Sequence, residues 1–291
     1  MFADAGVVAL LKEKFVAVAV DEWYQHRQKD AEGDFYRKVV YQGPHNKPDQ
    51  TTQGLYVFAP DGTLLGYTNH RSPERVKATL EKALEKFAAT DAAAPEDSGK
   101  RDAAFARTPP EGGFVADVTS KVLGGYKAPK NAWQKAYQEA LGRDHLWVTR
   151  DEAAALERGE LASPLARRIA RFHLVDNTRG EPPMWRAEDV RTLDVALRDG
   201  RLAGRVKLET SSGDRGFEGE IRGVVVAKDG AVTRFDLVAR GEFWGEGRYT
   251  PNAPAGRFPL AVSIRLADAK DTARAVPPQG ARDAMDYLRA R

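Results

Sequence analysis

The sequence predicts an α+β protein of two domains, in which a short α/β domain precedes an antiparallel β-meander domain with covering helices. Three observations carry that prediction. Between residues 90 and 111 the chain loses nearly all its large apolar residues and turns to Ala, Pro and charge, the composition of a linker. Before this stretch, helical and strand patterns alternate. After it, long period-two runs are joined by Asp-Gly turns. The expected division is residues 1–89, a linker at 90–111, and residues 112–291; a chain of 291 residues suits two domains at about 100–200 residues each.

In the first domain, residues 6–14 have a helical pattern. The run from Phe15 to Val20, Phe-Val-Ala-Val-Ala-Val, is β-branched, of strand length and apolar on both faces, which predicts a buried parallel strand. A polar stretch from Glu22 to Gly33 leads into a helix expected over residues 34–41, and Gly43-Pro44 and Pro48 then break the chain into a loop. Leu55–Phe58, a Pro60-Asp61-Gly62 turn and Thr63–Tyr67 predict a hairpin. Ser72-Pro73-Glu74 is a helix start, and Val76, Leu80, Leu84 and Phe87 form one apolar stripe behind it. The order is helix, strand, helix, hairpin, helix.

That order, with the text Phe2-Ala-Asp-Ala-Gly-Val-Val-Ala-Leu-Leu-Lys-Glu-Lys-Phe15 and the hairpin from Leu55 to Tyr67, resembles the second half of a bacterial thioredoxin-like domain over residues 2–88. The resemblance implies a truncated thioredoxin-like α/β domain, because no first strand and no redox-motif helix precede Phe2 in this text. It also implies that Thr51-Thr52-Gln53-Gly54 stands where the family places a cis-proline. Dithiol exchange needs a thiolate, and the chain contains no cysteine, so the frame comes without its usual activity. The missing strand implies a sheet edge that must be covered, since open apolar edges pair with other chains.

Beyond the linker, residues 114–123 read as a strand and residues 131–141 as a helix carrying Trp133 and Tyr137. Thr149-Arg-Asp-Glu152 is a capping box, and Ser163-Pro164 opens a third helix. From Val190 the texture changes. Leu193, Val195 and Leu197; Leu202, Gly204, Val206 and Leu208; Phe217, Ile221 and Val225; Phe235, Leu237 and Ala239; and Leu260, Val262, Ile264 and Leu266 mark five alternating runs. Asp199-Gly200 and Asp229-Gly230 turn between them, so the runs form a meander with one buried face, either an α+β roll or a partly closed barrel. Its other face gathers Asp194, Arg198, Arg205, Lys207, Glu209, Glu218, Glu220, Arg222, Arg234, Asp236, Arg240 and Glu242. This set suits a polar partner, or simply keeps a solvated sheet face soluble.

Composition excludes several classes of function. Forty-five Lys and Arg against 42 Asp and Glu leave +3, with the signs interleaved, so no basic stripe suits nucleic acid. The absence of cysteine excludes disulfides, thiolate metal sites, iron–sulfur clusters and a cysteine nucleophile. No apolar stretch approaches the about 20 residues of a membrane span. The chain reads as soluble, either cytoplasmic or exported after loss of a leader. His26, His45, His70, His145 and His173 lack metal-site spacing, so neither metal nor cofactor is expected; His26, His45 and His70 either converge at shared strand ends or lie in loops without a common role.

Two segments are candidate sites. Asp21, Trp23, Tyr24, His26 and Arg27 follow the predicted buried strand, at the kind of strand end where open α/β sheets bind ligands, and Gln53 belongs to the loop expected beside them. Trp244, Glu246, Arg248 and Tyr249 lie in the densest aromatic and glycine loop of the second domain. For each the competing reading is packing, with rings that patch or close a core. The resulting expectation is a non-redox binding or assembly module for a protein or a small polar ligand. Two alternatives stand beside it: an enzyme with its site in the second domain or at the interface with residues 21–27, and a subunit of a larger complex or oligomer joined through an exposed sheet edge.

Overall fold

The computed structural model describes residues 4–47, 50–94, 96, 99–105 and 107–290. The Phe2-Ala3 start of the resemblance, the Pro48 break, and Pro95, Asp97, Ser98 and Ala106 of the expected linker lie outside the described residues. The chain is mixed α/β, with a two-stranded and a seven-stranded antiparallel sheet. Contacts group it into two units, residues 1–106 and 107–291. Among the described residues, no helix is long and apolar enough to cross a membrane.

Unit 1 opens with α1 (Ala5–Lys14), capped by Asp4, whose carboxylate accepts the Val7 N–H at 2.9 Å. The buried strand expected over Phe15–Val20 does not form. The backbone is extended at Phe15 and again at Asp21, but among the described residues nothing hydrogen-bonds to Val16–Val20. Val16, Val18 and Val20 stand 93%, 68% and 48% exposed. The propensity is present and the neighbour is not. A strand exists through pairing, and the sheet of this unit is a hairpin, β1 (Leu55–Phe58) with β2 (Leu64–Thr68), whose members, among the described residues, pair only with each other.

The polar stretch after this run is partly helical. Asp21 caps α2 (Glu22–Arg27), and Asp30 caps α3 (Ala31–Val40), which begins three residues before the expected position. Ser72 and Pro73 start α4 (Pro73–Ala88) as predicted. Val76, Leu80 and Ala83 pack on Val7, Val57, Ala59 and Leu65, while Phe87, expected on the stripe, is 42% exposed. Part of the expected linker docks onto this unit: the Asp102 N–H donates to Asp30 Oδ2 at 2.7 Å, and Asp102 Oδ2 accepts the Lys29 N–H at 2.9 Å.

Unit 2 is built on a sheet with strand order β4-β3-β9-β8-β7-β6-β5. Here β3 is Phe114–Val122, β4 Gly142–Val148, β5 Val190–Arg198, β6 Arg201–Glu209, β7 Gly216–Lys228, β8 Ala231–Trp244 and β9 Arg257–Leu266. The predicted meander is β5 to β9, and β3 joins it by pairing with β9. Asp199-Gly200 and Asp229-Gly230 have positive φ at both positions (49° and 70°, 54° and 73°), the geometry of hairpin turns that follow the strand twist. Gly219 and Gly241 face each other where a Cβ would meet carbonyl oxygens at 2.5 and 2.2 Å, so the two backbones approach too closely there for a side chain. Helices α6 (Arg150–Glu157) and α7 (Ser163–Arg168) cover the inner face, with α5 (Ala132–Gln138) before them and α8 (Ala284–Arg289) at the end. Leu156, Leu165 and Ile169 join Leu202, Val206, Leu208, Phe217, Phe235 and Val262 in the core. The outer face carries its charges in register: Asp194 opposes Arg205, Arg205 opposes Glu220, and Glu220 opposes Arg240, so signs alternate across four strands.

Candidate functional site

The two segments of unit 1 singled out by sequence, residues 21–27 and 51–53, come together through Glu22, Thr51 and Thr52, none of them among the expected site residues. The Glu22 carboxylate, in the first turn of α2, accepts the Thr51 hydroxyl at 2.8 Å, the Thr52 N–H at 2.7 Å and the Thr52 hydroxyl at 2.9 Å. His26, one turn later on the same helix face, places Nε2 3.3 Å from Thr52 Oγ1. Because Thr52 donates to Glu22, the Tyr36 hydroxyl on α3 donates to Thr52. The His26 ring also meets Tyr36 edge-on at 5.2 Å.

The protonation states follow from this geometry. Burial works against ionising Glu22, but the three hydrogen bonds and the nearby His26 prevail, and its carboxyl lies below the usual range. Desolvation is the main cause holding His26 below an ordinary histidine; Arg27 and Arg37 push the same way and Glu22 opposes them. Burial raises the Tyr36 hydroxyl. A carboxylate and a neutral imidazole around a threonine hydroxyl have the ingredients of base-assisted attack. Here the hydroxyl is already shared between Glu22 and Tyr36, and Thr52 is 4% exposed. The arrangement ties the loop to the helix.

The remaining expected residues of this segment pack or cap. The Asp21 carboxylate accepts the Trp23 N–H at 2.8 Å. Trp23 stacks edge-on against Tyr24 at 5.1 Å and Phe105 at 6.0 Å, with the Arg27 guanidinium 4.4 Å above its ring. The Gln53 side chain is exposed, and its carbonyl accepts the Tyr67 hydroxyl at 3.0 Å. Gly54, at φ 151°, is required at this point, because a Cβ would lie 2.5 Å from the Tyr67 ring. His45 lies against Tyr67 and His70 accepts the Ser72 N–H, so neither joins His26. Among the described residues, no three His, Asp or Glu side chains are placed to hold a metal.

In unit 2, Trp244 is 9% exposed, and its indole N–H donates to the Gly213 carbonyl at 3.0 Å. One side of the ring lies where a Gly216 Cβ would sit, and Arg257 covers the ring at 4.0 Å while reaching Glu218 and Glu242. Glu246 accepts the Ala253 N–H at 3.0 Å, and Arg248 lies 5.3 Å from the Tyr249 ring, itself 61% exposed.

A second polar constellation, found only in the folded chain, lies beneath α8. Arg168, fully buried, donates to Glu152 at 2.7 Å, to the carbonyls of Trp147 and Tyr287 at 3.1 and 2.8 Å, and to that of Leu288. The α7 helix then widens into a π-helical turn, Ile169–His173, which turns Arg171 and His173 inward. His173 Nε2 is 2.8 Å from the Tyr287 hydroxyl, and Nδ1 stands 3.3 Å from Asp144 Oδ2, off the line of a good hydrogen bond. Burial raises Tyr287 well above an ordinary tyrosine, so its hydroxyl keeps its proton.

No family model, curated protein or solved structure matches the chain. Function must therefore be read from surfaces and sites. The hydrogen bonds of both constellations run among their own side chains and the neighbouring backbone, and they hold the fold together. Among the described residues, the valine run between α1 and α2 stands exposed without a hydrogen bond.

Proposed function

We propose that the protein is a non-redox binding or assembly module, built on a truncated thioredoxin-like domain followed by an antiparallel α+β domain, in which Val16–Val20 accepts an extended segment of another protein chain. One observation carries this reading: five consecutive residues, three of them β-branched valines, lie exposed between two capped helices and, among the described residues, without a hydrogen bond. Strand addition to such a run draws its affinity from main-chain hydrogen bonds and its selectivity from alternate side chains. The hairpin flanked by α3 and α4 is the part of the resemblance that supports the thioredoxin-like reading, and the absence of any thiol supports a role without redox chemistry.

The test is hydrogen exchange with a short synthetic peptide of alternating valine and threonine. In dilute protein the amides of Val16–Val20 should exchange freely, and saturating peptide should protect them while leaving α4 and the seven-stranded sheet unchanged. Unprotected amides at saturation would rule out strand addition at this run.

A further inference from the structure

We infer that the partner is a second copy of this chain: Val16–Val20 lies antiparallel against itself about a two-fold axis at Val18. This rests on the strand-accepting reading above and names its occupant. The run reads Val-Ala-Val-Ala-Val, identical in both directions. An antiparallel pair centred on Val18 sets Val16 against Val20 of the second copy, Ala17 against Ala19, and Val18 against itself, the self-complementary pattern of an isologous contact. Side chains alternate between faces, so the valines of both copies form one uninterrupted row and the alanines another. β-Branched residues facing across strands are favourable pairs.

Charge selects the orientation. The run leaves α1 through exposed Lys12-Glu13-Lys14, a net positive end, and enters α2 at Asp21 and Glu22, a negative one. Antiparallel pairing brings the basic end of one run to the acidic end of the other. Parallel pairing would place the lysines of both copies side by side. Register is equally constrained, because a slip by one residue would set valines against alanines. Five residues span only about 17 Å, and a pair of that length buries less than the about 1,200 Å² of standard interfaces, so the dimer is weak and concentration-dependent.

The chain's lack of cysteine makes the test specific, since one introduced thiol reports one position. In Val18→Cys the two thiols oppose each other, with Cα atoms about 4.5–5.5 Å apart and within disulfide reach. Mild oxidation should give a species of twice the 32.0 kDa chain mass. Val16→Cys and Val20→Cys should cross-link when mixed but not alone. Val226→Cys, 42% exposed on β7, is the control and should stay at chain mass. Sedimentation of the cysteine-free chain, from low-micromolar to near-millimolar, should show mass rising toward the dimer. Val18→Pro, at an exposed position without a hydrogen bond, should abolish the rise and leave the unfolding midpoint in place.

A single-chain mass throughout, Val18→Cys cross-linking no faster than Val226→Cys, or Val16→Cys cross-linking alone as well as in the mixture overturns the self-pairing. If the valine–threonine peptide still protects Val16–Val20 in that case, strand addition stands with a different partner. If it does not, both readings fall.

Discussion

His26 and Trp244 show how one side chain ties local chemistry to the stability of the fold. An ordinary histidine titrates at 6.5, and desolvation, the largest cause, holds His26 lower in the folded chain. The unfolded chain therefore takes up a proton that folded His26 resists. The stability this contributes is present above 6.5 and is lost as pH falls through the folded value. Glu22 acts in the same direction at lower pH: its carboxyl is lowered from 4.5, so its contribution is present above 4.5 and lost on further acidification. Urea midpoints measured from pH 7.5 downward should fall in two stages. His26→Gln should flatten the upper stage and Glu22→Gln the lower; unchanged profiles would mean that the cluster does not feel these protons. At Trp244, truncation to Ala removes a ring held between Gly216 and Arg257 and leaves the Gly213 carbonyl without its donor. A loss of about 3–5 kcal/mol is expected, as for other large aromatic truncations, read as a lower urea midpoint at constant slope. A loss well below 1 kcal/mol, the scale of an exposed side chain, would place the ring outside the core.

At the scale of elements, the C-terminal helix depends on an arginine more than a hundred residues before it. Arg168 satisfies the carbonyls of Tyr287 and Leu288 at the end of α8, and its charge is balanced by Glu152, which also closes the capping box of α6 with Thr149. Arg168→Leu should cost about 3–5 kcal/mol, because Glu152 is then buried without a counter-charge. Adding Glu152→Leu should recover part of that loss but not all, since the carbonyls remain unpaired; the double-mutant cycle separates the two contributions. An additive cycle would show that the pair is not coupled. The hairpin turns, the Thr149 box and the Ser72-Pro73 start are legible in the sequence because each obeys a short-range rule. The π-helical turn and β4 are not. Gly-Arg-Asp-His-Leu-Trp-Val has no clear alternation, and it becomes a strand only because β3 lies beside it in register.

At the scale of the whole chain, the expected linker divides in its behaviour. Residues 101–105 belong to unit 1 through Asp102 and Phe105, whereas Arg107 donates to the carbonyls of Ala281 and Arg282 in unit 2. Lys100 is exposed and precedes the docked segment. Limited trypsin digestion should therefore cut first after Lys100 or Arg101, giving fragments close to 1–100 and 101–291, because exposed backbone outside regular elements is the easiest to open. A first cut inside the seven-stranded sheet would show that the sheet opens before the connection does.

By itself the sequence determined what the chain cannot do and where the starts of α4 and α6 and the Asp-Gly turns of the meander lie. A chain without cysteine has no dithiol chemistry in any fold, and caps, turns and period-two runs act over a few residues, within reach of local rules. Only the tertiary structure decided what those elements meet. Phe15–Val20 has the propensity of a buried strand, yet Phe15 alone packs on the core and Val16–Val20 remain exposed because, among the described residues, no second strand lies beside them; Glu22, Thr51, Thr52 and Tyr36 form one cluster because α2, α3 and the loop before β1 fold together. Pairing and burial are relations between distant segments, so a residue's own preference cannot fix either one.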